Sequence, residues 1–306
     1  VSARSAAQQA PLSRTNGSVT ALRLGRRTFA PGELAVMAIV NRTPDSFFDR
    51  GATFAPDAAL RAVEAAVAEG ADLIDIGGVK AGPGAEVDAA EEIRRTVPTI
   101  AAVRAGFPDV VISIDTWRAN VAREAIAAGA DLINDTWAGA DPELAEVAAA
   151  TGAGLVCSHA GGATPRTRPH RVAYADVVAD VRATVTALAE RALDLGVRRD
   201  GILIDPTHDF GKNTRHSLEL TRRLDELVAT GWPVLVALSN KDFIGETLDL
   251  AVDQRLEGTL AATAVSAWLG ARVFRAHQVR QTRQVLDMVA SIRGDRPPAV
   301  ARRGLA

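Results

Sequence analysis

Polar residues follow directly on apolar runs at eight places in this chain: Asn41, Asp75, Asp115, Asn134, His159, Asp205, Ser239 with Lys241, and Arg275 with His277. Carboxylates accept hydrogen bonds from N–H donors, an amide both gives and takes, and ammonium and guanidinium groups meet anions. Any one of these groups alone serves equally well in a structural role, Asp205 for instance as a helix cap. Eight of them in equivalent positions point instead to one face that holds a polar, hydrogen-bonding, anionic ligand. Arg275 and His277 lie one residue apart on a strand-like run, so alternation sends both side chains to the same side, where they can grip one anion together.

The loop "IDIGGVKAGPG" (Ile74–Gly84) begins as a phosphate-handling loop does, with a strand running into two glycines. It then departs from that pattern. Val79, Lys80, Ala81 and Gly82 precede a Pro-Gly turn, and most of the groups that would grip a substrate are missing.

These residues need elements that bring them to one end. The apolar runs fall at residues 34–40, 71–76, 110–115, 130–136, 154–159, 201–206, 233–239 and 271–277. They lack polar alternation, as parallel strands buried on both faces do. Between them lie Ala-rich stretches with amphipathic helical spacing, such as "PDAALRAVEAAVAEG", which end in Gly. Eight strand–helix units predict an α/β (β/α)8 TIM barrel, whose reactive groups sit where strands end. A doubly wound open sheet is the competing architecture, but the G-x-G-x-x-G turn is not found. "VTALRLGRRTFAPG" reads as an N-terminal hairpin capping the barrel floor. The expected organisation is a polar tail (1–18), one barrel domain (19–293) and a Pro- and Arg-rich tail (294–306).

The chain has 306 residues, 47% of them hydrophobic, enough for a large single core. With 35 basic and 37 acidic residues there is no basic face, which argues against a nucleic-acid partner. No apolar run is long enough to span a bilayer, and the first residues lack the apolar centre of a signal peptide. The single cysteine, Cys157, fits a reducing cytoplasm.

Several stretches resemble the dihydropteroate synthase family. "MAIVNRTPDSFFDRG" is similar to its first-strand signature, and "ISIDTWRANVAREAIAAGADLINDTWAG" to its third and fourth strands. "LIDPTHDFGKNTRHSLELTRRL", "PVLVALSNKDFIGETL" and "RLEGTLAATAVSAWLGARVFRAH" resemble its sixth, seventh and eighth. The resemblance covers residues 19–293. It implies a TIM barrel that joins a pterin-methyl pyrophosphate to p-aminobenzoate, with Mg²⁺ arriving through the pyrophosphate and no organic cofactor. It further implies pterin binding by Asp115, Asn134, Asp205 and Lys241, with Phe210 placed to pack on a ring face. Asn41, Arg275 and His277 match the pyrophosphate site, Asn41 also the metal, and the catalytic set is Lys241, Asn41, Arg275 and His277. Ser239, Asn240 and Phe47 fall on the arylamine side. A homodimer through helices of the second half is implied as well.

The departures cluster on loops of the reacting face. The family's second loop, Gly-Gly-Glu-Ser-Thr-Arg-Pro-Gly, is here an altered lid: Ala81 stands at the threonine and Gly82 at the arginine, removing a bidentate phosphate contact. Lys80 or Arg42 is the candidate replacement. The family's Ser-Arg-Lys is Ser239-Asn240-Lys241, one cation fewer. Its Met-His-Met becomes Ser158-His159-Ala160. The chain therefore resembles the divergent second copy found in actinobacteria: it is expected to bind a pterin, with the ordinary condensation weak, lost or redirected. Two alternatives are an active synthase with a repaired lid and a non-catalytic pterin-binding or partner-supporting protein. The corrinoid methyltransferases share the barrel and slot but bind no pyrophosphate, so Asn41, Arg275 and His277 count against that class.

Overall fold

The computed structural model describes residues 21–44, 51–167 and 173–303. All eight expected strands form. They are β3 (Ala35–Asn41), β4 (Leu73–Gly77), β5 (Val111–Asp115), β6 (Leu132–Asp135), β7 (Gly154–Ser158), β8 (Ile202–Asp205), β9 (Leu235–Ala237) and β10 (Val273–Ala276). Neighbours pair in parallel in the order β8-β7-β6-β5-β4-β3-β10-β9. A parallel bridge between Ile204 and Val234 joins the two ends, with the Ile204 N–H donating to the Pro233 carbonyl at 2.9 Å. The sheet is thus closed into a TIM barrel, with helices around it from α1 (Pro56–Ala68) and α2 (Ala89–Gly106) to α10 (Val279–Arg293).

The two-residue period of the strands sorts their side chains into two populations. Ile74 and Ile76, Ile112 and Ile114, Ile133, Ile204 and Phe274 join the core between sheet and helices. Leu73, Val111, Leu132, Leu203 and Val273 form the inner layer near the barrel floor. The next inward positions on those five strands are Asp75, Ser113, Asn134, Asp205 and Arg275, and the step after Ser113 is Asp115. A filled apolar floor therefore sits beneath a polar mouth, and one periodicity produces both.

The hairpin expected before the first strand is present as β1 (Leu22–Leu24) and β2 (Arg27–Phe29), paired antiparallel. Its Leu22, Leu24 and Phe29 are buried against the inner floor layer, so it plugs the barrel as anticipated. Asp72, at the entry to β4, ties this plug to the wall. It accepts from the Val36 N–H at 2.9 Å, from Arg27 at 2.5 Å and from Arg283 of α10 at 3.1 Å. The proposed tail at residues 1–18 lies outside the described residues, and residues 294–303 carry no helix or strand. Among the described residues no helix is long and apolar enough to cross a membrane.

Asp72→Ala removes the acceptor of three donors at once. Urea unfolding is expected to show a loss of about 2 kcal/mol, the cost of stranding buried donors.

Candidate functional site

The polar mouth is organised around Arg275. Its Nε donates to Asp75 at 2.6 Å and a terminal nitrogen donates to Asp115 at 2.7 Å. One guanidinium thereby links β10 to β4 and β5. Asn134, paired in register with Asp115, donates to the same Asp75 oxygen at 3.1 Å. Asp75 was visible only as one of the strand-end polar groups; its part as the hub of this cluster was not legible. Its other carboxylate oxygen and the side-chain amide oxygen of Asn134 are buried with no hydrogen-bond partner. The two residues are bonded to each other through their other side-chain atoms, and a buried acceptor left without a donor is costly.

The electrostatics follow from crowding. Burial opposes the charge on Arg275, but Asp75 and Asp115 override it and hold the guanidinium above its ordinary value. Burial pushes Asp115 up to about 7; Arg275 pulls it down, and Asp75 adds to the rise. The cluster thus carries two carboxylates on one cation, and a proton stays with it into the neutral range. His277 is pushed down to about 3 by burial and by Arg275. It shares a hydrogen bond with the Ser239 hydroxyl at 2.9 Å. It therefore faces the mouth as a neutral ring, not as a second cation beside Arg275.

The opposite wall comes from the β8 and β9 ends. Asp205 is buried, and one oxygen accepts from the Thr207 N–H at 2.7 Å; burial raises its pKa against the pull of Lys241. The Lys241 ammonium donates to the His208 carbonyl and stands 5.2 Å from the centre of the Phe210 ring. Burial lowers its pKa, and Asp209 and Asp205 oppose that shift. Phe210 meets Trp137 edge to face, centroids 5.1 Å apart. Two further residues were missed by sequence reasoning. Asp209 accepts from the Ser217 hydroxyl and the Phe243 N–H. Lys212 is buried and donates to the carbonyls of His159, Thr207 and Phe210 at 2.8–3.1 Å. These three bonds brace a turn in which Thr207 and Asp209 both have positive φ, +51° and +70°. Burial, then Lys241, brings Lys212 down to about 7. The clue available in sequence was only that "THDFGK" crowds three titratable groups after a strand.

The lid has a rigid base and a bare tip. A Cβ on Gly78 would lie 2.8 Å from Thr96 and 3.1 Å from Glu92, so only glycine fits there. Glu92 is fully buried and paired with Arg118, and Arg95 donates to the Gly78 carbonyl at 3.0 Å. Beyond this base, Lys80, Ala81, Gly82 and Pro83 line a cavity of about 320 Å³ whose other walls include Trp137, Asp209, Phe210 and Asn240–Asp242. Val79 is half-buried between base and tip. Arg42 does not reach the lid as a replacement cation. It is buried, donating to the carbonyls of Arg95 and Thr53 at 3.0 and 3.2 Å. Asn240 is also buried, at φ +56°, with its amide turned toward Gln278 and Ser239. The Asn41 carbonyl accepts from the Thr53 hydroxyl at 2.7 Å. Phe47 lies outside the described residues. Among the described residues no group of three or more His, Cys, Asp or Glu side chains could hold a metal ion.

A family model of pterin binding enzymes matches residues 37–277. This chain belongs to the pterin binding enzyme family. It is 64% identical over 286 residues to the inactive dihydropteroate synthase 2 of Mycobacterium leprae (strain TN), covering 92% of this chain and 98% of that one. It is 62% identical over 284 residues to the protein of the same name in Mycobacterium tuberculosis (strain ATCC 25618 / H37Rv), covering 92% and 89%. A dihydropteroate synthase of Coxiella burnetii, solved in complex with pteroic acid, matches with a TM-score of 0.81 at 33% identity, over 90% of this chain and 99% of that one. The chain is thus a divergent dihydropteroate synthase homologue, as its altered lid had suggested.

Arg275→Met leaves Asp75 and Asp115 facing each other without their cation. Urea unfolding at pH 8 is expected to show a loss of about 3 kcal/mol, in the range for a broken buried pair. Asp115 binds its proton more tightly folded than unfolded, so its ionisation costs stability as pH rises from about 4 to about 7. Without Arg275 that cost grows, so the deficit of the variant should shrink as the pH is lowered from 8 to 5. A deficit independent of pH would contradict the shared-cation arrangement.

Proposed function

We propose that this chain binds a pterin, free or carrying a pyrophosphate, in the mouth crevice, and that its ordinary condensation with p-aminobenzoate is weak or lost. The observation that carries the reading is the pair of orphaned acceptors on Asp75 and Asn134, on the wall that carries Asp115 and across the mouth from the wall that carries Asp205. A pterin edge offers several N–H donors, so it supplies what these acceptors lack. The Coxiella burnetii relative, solved with pteroic acid, supports the same ligand class. The loss of condensation rests on the lid. Ala81 and Gly82 face the cavity without a hydroxyl or guanidinium, so nothing there forks onto a phosphate. With Arg42 committed elsewhere, the alternative of a repaired lid depends on Lys80, whose ammonium cannot fork onto a phosphate as a guanidinium does. In this reading Mg²⁺ arrives with the pyrophosphate, near Asn41. The protein works in the cytoplasm, its one thiol, Cys157, buried.

We also propose a homodimer. The helices α9 (Leu256–Leu269) and α10 leave Val265, Trp268, Met288 and Ile292 exposed, large apolar groups that a second copy would cover. Replacing Met288 and Ile292 together by Glu should shift the protein toward monomer in sedimentation velocity without loss of helical signal.

Calorimetry with a pterin-methyl pyrophosphate should give binding in the wild type. Asp205→Ala should weaken it 10- to 100-fold, the range for a hydrogen bond to a charged group. The wild-type gene should fail to rescue a cell lacking its own synthase. Rescue would show that condensation is intact, and absence of pterin binding would remove the whole reading.

A further inference from the structure

Two helices, α6 (Thr214–Arg222) and α8 (Asp242–Leu248), meet the turn after β8 at one residue, Asp209. One of its carboxylate oxygens accepts from the Ser217 hydroxyl of α6 at 3.0 Å, and the Asp209 N–H donates back to that hydroxyl at 3.1 Å. The other oxygen accepts at 3.2 Å from the N–H of Phe243, the second residue of α8. Lys241 holds the position before that helix and makes no side-chain cap bond of its own. A carboxylate that accepts from the second N–H of a helix does what an N-cap side chain does, and its charge suits the positive end of the helix dipole. Asp209 therefore caps α8 from a neighbouring turn. It does so at φ +70°, a conformation that glycine adopts freely and aspartate at a cost. The bonds of its side chain offset that cost.

The cap fixes the backbone beside Lys241, whose ammonium enters the mouth near the Phe210 ring. Asp209 and Lys241 line the same cavity, and the carboxylate favours the charged amine against its burial. The other titratable groups that face this amine are Asp205 on β8, His208 and Lys212 in the turn, Arg275 on β10, Asp242 on α8 and Lys80 on the lid. Asp205 and Asp242 also favour its charge, and Arg275 opposes it. Asp242 is bonded to Arg255 at 2.8 Å, which leaves Asp209 and Asp205 as the counter-charges of Lys241. We propose that Asp209 is a positioning residue for Lys241: it holds the start of α8 in place and, with Asp205, keeps the ammonium charged for a ligand in the mouth. The role toward Lys241 stands by itself, and its consequence for pterin binding rests on the reading above.

The chain has only three lysines, Lys80, Lys212 and Lys241, so protein labelled with ¹³C at the lysine Cε gives few signals, and the one lost in Lys241→Arg is assigned. Asp209→Asn keeps an acceptor for the Phe243 N–H and removes the charge. Its Lys241 titration midpoint is expected to fall by about one pH unit, with little change in deuterium uptake at residues 241–248. Asp209→Gly relieves the left-handed backbone and removes both cap and charge, so the midpoint should fall and deuterium uptake there should rise. Lys241 loses its charge at lower pH in these variants. Calorimetry with a pterin-methyl pyrophosphate should therefore show Asp209→Asn binding about 10-fold more weakly than wild type at pH 9, and nearly equally at pH 6, where the amine is charged in both. An unmoved midpoint in both variants, or a binding deficit of the same size at every pH, would overturn the proposal. A midpoint that falls in a protein with no affinity for the pterin would uphold the role of Asp209 and remove the pterin reading instead.

Discussion

One guanidinium between two carboxylates governs the mouth of this barrel. Arg275 bonds Asp75 and Asp115, and those three residues belong to three strands of the ring. The ion cluster sits on a layer of apolar side chains, so it is only partly solvated and its charges depend on each other. It fixes Asp75 in place, and through Asp75 it orients Asn134. Burial raises the Asp115 pKa, with Asp75 adding to the rise and Arg275 opposing it, and burial with Arg275 keeps His277 neutral. Arg275 is therefore part of the crevice wall before it is anything else. An anion that approaches it competes with two carboxylates already in contact.

The second wall uses a different device for the same end. The turn after β8 places Thr207 and Asp209 in the left-handed region, a conformation that side chains with a Cβ adopt at a cost. Lys212 holds that turn by filling three carbonyls with one ammonium. The turn in turn presents Asp205, the His208 carbonyl and Phe210 toward Lys241. Both walls thus depend on buried cations whose partners lie within the protein. That is consistent with a crevice pre-organised for hydrogen bonding and poorly equipped for holding a loose anion.

Between the walls, the lid separates stability from chemistry. Its base is packed too tightly at Gly78 to accept even a methyl group, and the Glu92–Arg118 pair anchors it. Its tip, at Ala81 and Gly82, is roomy. Changes at the tip alter what the site can grip without disturbing the barrel, which is why a chain with a depleted lid still has a complete fold.

The sequence determined the architecture. Eight apolar runs separated by amphipathic stretches, with a short hairpin in front, fold as read, because burial on both faces leaves parallel strands few alternatives. It also named Asp115, Asn134, Asp205, Lys241 and Arg275 as residues of one end, since alternation and strand ends are local properties. What it could not determine was who pairs with whom. Asp75 and Arg275 are 200 residues apart, and only closure of the ring makes them neighbours. Arg42 and Lys212 are both basic residues after strands, yet both end up buried on backbone carbonyls. A cation's partner is set by three-dimensional distance and by access to water, and neither quantity exists until the chain has folded.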